Sequence, residues 1–338
     1  MIKIAIEKLL DKINLTGKEM QAVMQEIMTG KVPDSQIVSF LSALKAKGET
    51  PEEITAAATV MRKFAVKIKS NRDVVIDTCG TGGDQSGTFN ISTISAFVVA
   101  GAGISVAKHG NRSVSSKCGS ADLLEAIGIN IDLLPETVEE CLNKIGIGFL
   151  FAPKLHPAMK YAMPARHQIA SRTIFNILGP LTNPAGARHQ VLGVFDKDLV
   201  EPLAAVLKNL GAKHALVVYG LDGLDEITTT TNTFVCEVKN QRLNSFEINP
   251  EDFGIKKAKA EDLKGADINT NVEISKQILD GKKGAKRDIV VLNAGCAIYA
   301  SDKAGDVNSG IKLAEESIDS GKAKEKLEQL IEFTTKNA

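Results

Sequence analysis

The chain has 338 residues, of which 43% are hydrophobic and 24% are charged, and its 41 basic residues balance 41 acidic ones. This length and composition are typical of a globular protein with one large domain and a smaller one. The formal net charge of zero argues against nucleic acid as a partner, so any binding site for an anion has to be local.

The cysteines and the apolar segments predict a soluble protein of the cytoplasm. Five cysteines without a CxxC pair indicate neither a disulfide framework nor a zinc site; they are Cys79, Cys118, Cys141, Cys236 and Cys296. Segment 1–15 carries Glu and Lys inside its apolar pattern, which a signal peptide does not. Segment 94–107 is shorter than the roughly 20 residues that a membrane helix needs, so we expect no membrane contact.

Helical patterns fill the first seventy residues. Apolar residues recur at helical spacing near the start, and we expect them to share one face: Ile2, Ile6, Leu9, Leu10 and Ile13. Segments 16–19 ("TGKE") and 50–53 ("TPEE") both match the capping-box pattern. We therefore predict about four short helices, forming a small domain over residues 1–70. An apolar face left exposed on so small a bundle would suit a homodimer contact.

After residue 70 the pattern changes to short β-branched runs, at 74–77, 104–107, 147–152, 189–195, 215–220 and 288–295. Amphipathic helical stretches lie between most of them, at 120–127, 137–145 and 199–210. This alternation predicts the α/β class, with a mostly parallel central sheet flanked by helices in a domain of residues 71–338. Segment 234–255 alternates apolar and polar residues, which favours an antiparallel hairpin at the sheet edge.

A glycine-rich loop, residues 80–90 and here called the glycine loop, follows the first of these runs and precedes a helical segment. Glycine lets backbone N–H groups approach an oxyanion closely, and a helix N-terminus adds a favourable dipole. Hydroxyl donors are also concentrated in this loop and just after it: Thr81, Ser86, Thr88, Ser92 and Thr93. The loop therefore favours phosphate or pyrophosphate over the alternative of a simple tight turn. Its spacing matches neither the Rossmann nor the P-loop pattern.

Two further loops follow apolar runs. The basic loop, residues 108–120, combines cations with hydroxyl and amide groups, which favours a second anion site over a solvated surface loop: Lys108, His109, Asn111, Arg112, Ser115, Ser116, Lys117 and Ser120. The acidic loop, residues 221–226, contains Asp222, Asp225 and Glu226, which could hold magnesium or form an acidic surface turn. Because ligands of open α/β sheets bind beyond the carboxyl ends of the strands, we expect the three loops at one edge.

Five motifs occur in an order and spacing that resemble the anthranilate phosphoribosyltransferase family over nearly the whole chain: "DTCGTGGD", "KHGNRSVSSKCGSADLLEA", "FLFAP…HPAMK", "RTIFNILGPLTNPA" and "DGLDE". The resemblance implies transfer of the phosphoribosyl group of 5-phosphoribosyl 1-diphosphate to the amine of anthranilate, in tryptophan biosynthesis. It also implies Mg²⁺, as two ions, and a homodimer formed through the helical domain. In this family the segment near 166–186 returns to the helical domain, which is hinged to the α/β domain.

The resemblance assigns residues to each ligand. For the diphosphoribose these are Gly80, Gly82, Gly83, Asp84, Thr88, Asn90, Ser92, Thr93, Lys108 and Ser120. For anthranilate they are Gly80, His109, Asn111, His156 and Arg166, and for the metal they are Ser92, Asp225 and Glu226. It assigns no catalytic residue with certainty; His109 is the candidate acceptor of the amine proton, and water is the alternative.

Two alternatives and one departure bear on this interpretation. Pyrimidine nucleoside phosphorylases share the fold, but their second loop is built differently, and they would not need Arg166 or the acidic pair. A nucleic-acid-binding relative would show a basic surplus, which is absent here. The family pattern R-x-x-L-G-x-R-T reads "RHQIASRT", with Ile169 and Ala170 for leucine and glycine. We expect this change to affect local helix packing and the hinge, and we interpret His167, His189 and His214 as structural.

Overall fold

A computed structural model describes residues 1–113 and 118–337. Its helices are α1 Ile2–Leu10, α2 Gly17–Met28, α3 Asp34–Lys47, α4 Pro51–Phe64, α5 Ile91–Gly101, α6 Ser120–Ile127, α7 Pro135–Glu140, α8 Ala152–Leu155, α9 Met163–Ile169, α10 Phe175–Leu178, α11 Val200–Asn209, α12 Ile268–Leu279, α13 Ala285–Ala300, α14 Val307–Asp319 and α15 Lys322–Lys336. Its strands are β1 Val75–Gly80, β2 Ser105–Gly110, β3 Ile147–Phe151, β4 His189–Gly193, β5 His214–Gly220, β6 Thr233–Lys239 and β7 Arg242–Ile248.

The predicted four N-terminal helices form, and the second and fourth begin at the predicted capping boxes. Both capping boxes form, with Thr16 and Thr50 each accepting from the backbone N–H three residues later. The expected apolar face of α1 is only partly correct. Ile2 and Leu9 are buried, whereas Leu10 is 66% exposed and Ile13, beyond the helix, is 51% exposed. The helix ends at Leu10, so the chain direction changes before Ile13 can join that face.

The central sheet has seven strands in the order β3-β2-β1-β4-β5-β6-β7. The first five strands in this order pair in parallel, and β6 and β7 pair antiparallel with their neighbours. The α/β class and the edge hairpin are therefore both confirmed. Asn240 and Gln241 form its two-residue turn, with φ values of 51° and 61°, the left-handed geometry that short hairpins require.

The run 288–295, interpreted above as a strand, is helical and lies within α13. This helix contacts both the sheet and helix α14, and most of its residues are buried. A helix surrounded by other elements is apolar on every side, so its sequence loses the 3.6-residue period that distinguishes a helix from a buried strand. The short run of β-branched residues was therefore wrongly interpreted as a strand.

The helices of the first seventy residues pack onto the sheet rather than standing apart. One continuous core includes Met24 of α2, Ala57 of α4, Leu203 of α11 and Val217 of β5. Helices α9 and α10, far along the chain, contact α3 and α4 respectively. Within residues 1–113 and 118–337, no helix combines the length and the hydrophobicity needed to cross a bilayer.

Candidate functional site

The glycine loop and the acidic loop meet over the carboxyl ends of β1 and β4. Both strands end in glycine, and a side chain at either Gly80 or Gly193 would overlap Asp225. The glycines therefore let the acidic loop lie directly across the strand ends. The basic loop begins in the neighbouring strand β2. The three loops are thus at one edge of the sheet, as expected for an open α/β fold.

The glycine loop is anchored at its start by two hydrogen bonds to the chain at the end of β4. The N–H of Thr81 donates to the carbonyl of Gly193 over 2.9 Å. The Thr81 hydroxyl accepts from the N–H of Phe195 over 3.1 Å. The next residue, Gly82, donates its N–H to Asp225 Oδ2 over 2.8 Å. These contacts fix the position of the loop relative to the acidic residues.

Three successive backbone amides follow Gly82 in the glycine loop without an acceptor among the described residues. The N–H groups of Gly83, Asp84 and Gln85 donate to no acceptor among the described residues. Gly82, Gly83 and Gln85 have positive φ values of 68°, 81° and 57°. Successive amides in such a backbone form a concave surface that binds anions. The loop therefore has the geometry of a phosphate cradle.

Three acidic groups lie beside this cradle. Burial, together with the charge of Asp84, raises the pKa of Asp225 to about 7. Burial and the charge of Asp225 raise the pKa of Glu226 to about 8. Glu226 accepts a hydrogen bond from the N–H of Ser92 over 3.1 Å, and Asp84 Oδ2 is buried with no hydrogen-bond partner among the described residues. Crowded carboxylates with an unpaired oxygen fit a cation, which would relieve their repulsion.

The acids do not enclose an ion by themselves. In the part of the chain that the structure describes, no three His, Cys, Asp or Glu side chains are grouped so that they could hold a metal ion. Mg²⁺ commonly binds one or two carboxylates and completes its shell with waters and substrate phosphate oxygens. The donor set here, which includes the hydroxyl of Ser92, suits that kind of open site.

Lys108 lies beneath Ser92 and is almost fully buried. Its Nζ donates to the carbonyl of Thr78 over 2.6 Å and to Ser92 Oγ over 3.4 Å. Burial lowers the pKa of Lys108, and the charges of Asp77 and Glu226 oppose that shift. The ammonium group of Lys108 therefore lies between the carboxylate of Asp77 and the acidic loop.

The sequence analysis gave no role to Asp77 and Asn183, which support this edge from behind. Asp77 is fully buried and accepts from the His109 N–H over 3.1 Å and from Asn183 Nδ2 over 2.8 Å. Asn183 also donates to the carbonyl of Ala107 over 2.8 Å. Burial raises the pKa of Asp77. The pair fixes the start of the basic loop to the segment that precedes β4.

The basic loop carries less free charge than its sequence suggests. Arg112 forms ion pairs with Asp122, at 3.2 Å, and with Glu125, so its charge is already compensated. Ser120 Oγ donates to the carbonyl of Asn111 over 3.2 Å. Ser115, Ser116 and Lys117, which the sequence analysis included, lie outside the described residues.

Two buried histidines form the next part of the site. The Nε2 atoms of His109 and His156 are 3.2 Å apart, and the ring centroids are 5.0 Å apart. Burial lowers the pKa of His109 to about 3, with a further contribution from His156. Burial also lowers the pKa of His156 to about 4. Both rings are therefore neutral at pH 7, and one Nε2 donates while the other accepts.

Arg166 lies on α9 and is half-buried. Its Nη1 is 3.7 Å from Met163 Sδ, and its guanidinium lies 5.6 Å from the centroid of the Phe175 ring. The ion pairs of the described residues that use arginine involve Arg112 and Arg287, so Arg166 keeps its donors for a carboxylate. Burial lowers the pKa of this guanidinium, which remains charged at neutral pH.

Three more of the residues assigned from the sequence are Thr88, Asn90 and Thr93. Asn90 donates to the carbonyl of Cys118 over 3.0 Å and accepts from Asn271 over 3.4 Å. Thr88 forms a β-bridge with Lys264, whose Nζ also donates to the carbonyl of Ser86. Thr93 is buried within α5. Asn271 and Lys264 support the loop from a distant part of the chain, where no sequence signal pointed to them.

Arg172 is a further residue that the sequence analysis did not assign. Its Nη2 donates to the carbonyl of Gly83, and its guanidinium lies 3.7 Å from the centroid of the Phe195 ring. The one available signal is the second arginine of "RHQIASRT". Nothing in that short motif indicates which loop the arginine reaches.

Comparison with known proteins gives consistent matches over the chain. Residues 3–65 match the model "Glycosyl transferase family, helical bundle domain", and residues 72–324 match "Glycosyl transferase family, a/b domain". The anthranilate phosphoribosyltransferase of Alkaliphilus metalliredigens is 56% identical over 99% of this chain and 98% of its own length. That of Acetivibrio thermocellus is 55% identical over 99% and 97% of the two chains.

Solved structures match equally well. The crystal structure of anthranilate phosphoribosyltransferase from Thermus thermophilus is 42% identical with a TM-score of 0.93, covering 98% of this chain and 99% of its own. The Saccharomyces cerevisiae enzyme in complex with PRPP and Mg is 27% identical with a TM-score of 0.91, covering 99% and 98% of the two chains. The similarity therefore extends over both the helical and the α/β parts.

Proposed function

This chain belongs to the anthranilate phosphoribosyltransferase family, and from that membership we propose its reaction. It transfers the phosphoribosyl group of 5-phosphoribosyl 1-diphosphate to the amine of anthranilate. The products are N-(5-phosphoribosyl)anthranilate and diphosphate, and the reaction is a step of tryptophan biosynthesis. The observation that carries this proposal is the run of three free amides, Gly83 to Gln85, beside the acidic loop.

The cradle suits a reaction in which the leaving group gains negative charge. When the bond between ribose and diphosphate breaks, positive charge develops on the anomeric carbon and negative charge on the diphosphate. Amides that are already oriented stabilise that charge without reorganisation, which is a large part of catalysis in such sites. We propose that the diphosphoribose contacts are made by Gly80, Gly82, Gly83, Asp84, Thr88, Asn90, Ser92, Thr93, Lys108 and Ser120.

We propose that Asp225, Glu226 and Ser92 hold Mg²⁺. Asp84 Oδ2 is buried and has no hydrogen-bond partner in the described part of the chain. This atom and the raised pKa values of Asp225 and Glu226 support a cation at this position. We propose two ions because the resemblance to the family implies two. When bound, Mg²⁺ neutralises the charge of the diphosphate and orients it.

The acceptor side is built from Gly80, His109, Asn111, His156 and Arg166. Arg166 can bind the carboxylate of anthranilate through two parallel hydrogen bonds, which lysine cannot reproduce. The aromatic amine is a nucleophile without prior deprotonation, so no covalent enzyme intermediate is required. With a pKa of about 3, His109 is a weak base at neutral pH. We therefore propose that it orients the acceptor by hydrogen bonding rather than removing the proton.

We also propose the domain division, the oligomeric state and the cellular location of the protein. We propose a helical domain of residues 1–70 with the returning segment 166–186, and an α/β domain of residues 71–338. Exposed Ile4 and Leu10 of α1 support a homodimer through the helical domain. Light scattering that gave the mass of one chain would contradict this. The five cysteines, all among the described residues, are thiols and not disulfides, which supports a cytoplasmic location.

The direct test is the fluorescence of anthranilate over time with purified protein, 5-phosphoribosyl 1-diphosphate and Mg²⁺. We expect a loss of fluorescence that requires all three components. A folded protein that binds 5-phosphoribosyl 1-diphosphate but consumes no anthranilate would show that the cradle is correct and the acceptor wrong. A protein that does not bind 5-phosphoribosyl 1-diphosphate would overturn the proposal.

A further inference from the structure

Arg172 connects the segment that carries Arg166 with the glycine loop. It is the third residue after α9, and its side chain is exposed. Its two contacts are the hydrogen bond from Nη2 to the Gly83 carbonyl and the stacking on Phe195 at 3.7 Å. Because the arginine ion pairs of the described residues involve Arg112 and Arg287, Arg172 is held without a carboxylate partner.

We propose that Arg172 is a positioning residue of the diphosphate site, which fixes the peptide between Gly83 and Asp84. This inference rests on the proposed function. In a trans peptide the C=O and the N–H point in opposite directions. By drawing the Gly83 carbonyl toward itself, Arg172 turns the Asp84 N–H the other way. That N–H has no acceptor among the described residues, so it remains available to the diphosphate.

This orientation needs an external restraint because the loop backbone is permissive. Gly83 has a φ of 81°, and glycine populates both signs of φ at little cost. A flipped peptide would direct the Gly83 carbonyl, instead of an N–H, toward an anion. A hydrogen bond from a charged donor is stronger than one between neutral groups, so this contact favours one peptide orientation over the other.

Phe195 makes the restraint rigid. The guanidinium carbon of Arg172 lies over its ring, and this cation–π contact restricts the position of the side chain. The N–H of Phe195 donates to Thr81 Oγ1 over 3.1 Å. The Arg172–Phe195 pair therefore holds the loop at both Thr81 and Gly83, and Asp225 holds Gly82 between them. Each of these three loop residues has its own anchor.

The chain offers a matched control for this contact. Arg188 is also exposed, and its Nε donates over 2.8 Å to the carbonyl of Gly211, another glycine with a positive φ, of 85°. This second contact lies at the start of β4 and β5, at the other end of the sheet from the glycine loop. Arg188→Ala therefore removes the same kind of bond without touching the site.

The test measures the Kd of 5-phosphoribosyl 1-diphosphate with Mg²⁺ by calorimetry, in the absence of anthranilate. Arg172→Ala should raise this Kd about tenfold, since one such hydrogen bond corresponds to that ratio. Arg172→Lys should recover little of the affinity, because an ammonium neither stacks flat nor reaches the carbonyl in the same plane. Arg188→Ala should stay within about twofold of the wild type. The KM for anthranilate at saturating 5-phosphoribosyl 1-diphosphate should change far less.

Wild-type affinity in Arg172→Ala would overturn the inference, as would full recovery in Arg172→Lys, which would show that charge alone matters. If Arg172→Ala has a lowered melting temperature, Phe195→Leu provides the second variant. It keeps the arginine but removes its platform, and an unchanged Kd would again overturn the inference. A wild-type protein that does not bind 5-phosphoribosyl 1-diphosphate would instead contradict the proposed function.

Discussion

Gly193 ends β4 directly against the backbone carbonyl of Asp225, so that a Cβ on this glycine would overlap the carbonyl oxygen. Gly193→Ala should therefore displace the acidic loop from the strand ends. Overpacking against backbone lowers the free energy of unfolding by about 1–3 kcal/mol. We also expect kcat/KM to fall at least about tenfold, because a small displacement of charged groups is costly in such sites.

The control for this substitution is Gly305→Ala. A Cβ at Gly305 would meet nothing within 4 Å, and its φ is not positive. It should leave both stability and kcat/KM close to the wild type. If Gly193→Ala kept the wild-type dependence on Mg²⁺, Asp225 would not be held in place by this contact.

Replacing the acidic pair should have opposite effects on stability and activity. The pKa values of Asp225 and Glu226 are raised, to about 7 and about 8, mainly by burial, so their ionised forms are unfavourable in the metal-free fold. Asp225→Asn with Glu226→Gln should raise the melting temperature of the metal-free protein at pH 9. The Mg²⁺ concentration for half-maximal activity should rise at least about tenfold. An unchanged Mg²⁺ titration would exclude the pair as ligands.

Removal of the guanidinium on α9 should affect one substrate far more than the other. We expect Arg166→Ala to raise the KM for anthranilate about tenfold to a hundredfold, since a charge-assisted contact is lost. The KM for 5-phosphoribosyl 1-diphosphate should change by less than about threefold. His167→Ala is the control, because the neighbouring His167 is exposed. Equal increases in the two KM values would contradict the role of Arg166 in acceptor binding.

The buried histidine pair should make the fold sensitive to acid. His109 and His156 have pKa values lowered from 6.5 to about 3 and about 4, so they stabilise the fold above pH 6.5. That contribution is lost as the pH falls from 6.5 toward those values. Lowering the pH from 7 to 5 should reduce the free energy of unfolding by about 2 kcal/mol for each histidine.

The measurement for this pair is chemical denaturation at pH 7 and pH 5, with His156→Asn as the variant. The variant should lose about half of the pH dependence that the pair produces. A variant with the full wild-type dependence would show that other groups are responsible for the acid sensitivity.

The departure at Ala170 has a measurable cost. Ala170 ends α9 with a φ of 50°, in the left-handed region where a Cβ costs about 1–2 kcal/mol. Ala170→Gly should therefore raise the free energy of unfolding by up to about 1 kcal/mol, after the entropy cost of glycine. Gln168→Gly, inside the same helix, should lower it by about 1 kcal/mol. Thermal melts of the two variants check both signs, and equal signs would contradict the argument.

The position of the site could be predicted from the sequence because it depends on local patterns. Each loop follows an apolar run, and the carboxyl ends of parallel strands meet at one edge. The contact between Gly82 and Asp225 is a consequence of that rule. The capping boxes of α2 and α4 were equally predictable, because their partners lie three residues apart.

Contacts that depend on distant packing could not be predicted in this way. The supports of the glycine loop at Arg172, Lys264 and Asn271 come from segments whose sequences carry no signal for that loop. Arg112 looked like a free cation because its partners, Asp122 and Glu125, lie on the next helix. Its neutralisation follows from how α6 folds back, and the spacing of charges alone does not show this.

The N-terminal helices are completed by residues that are synthesised much later. Arg62 of α4 donates to the carbonyl of Leu181 over 2.8 Å, and Lys45 of α3 donates to Ser171 over 3.0 Å. While the chain emerges from the ribosome, these partners appear only after β1, β2 and β3 have been made. These two hydrogen bonds join residues 119 and 126 positions apart, and long-range contacts of this kind slow folding. Apolar helix faces also stay exposed, where a chaperone can cover them, until the segment 166–186 has been synthesised.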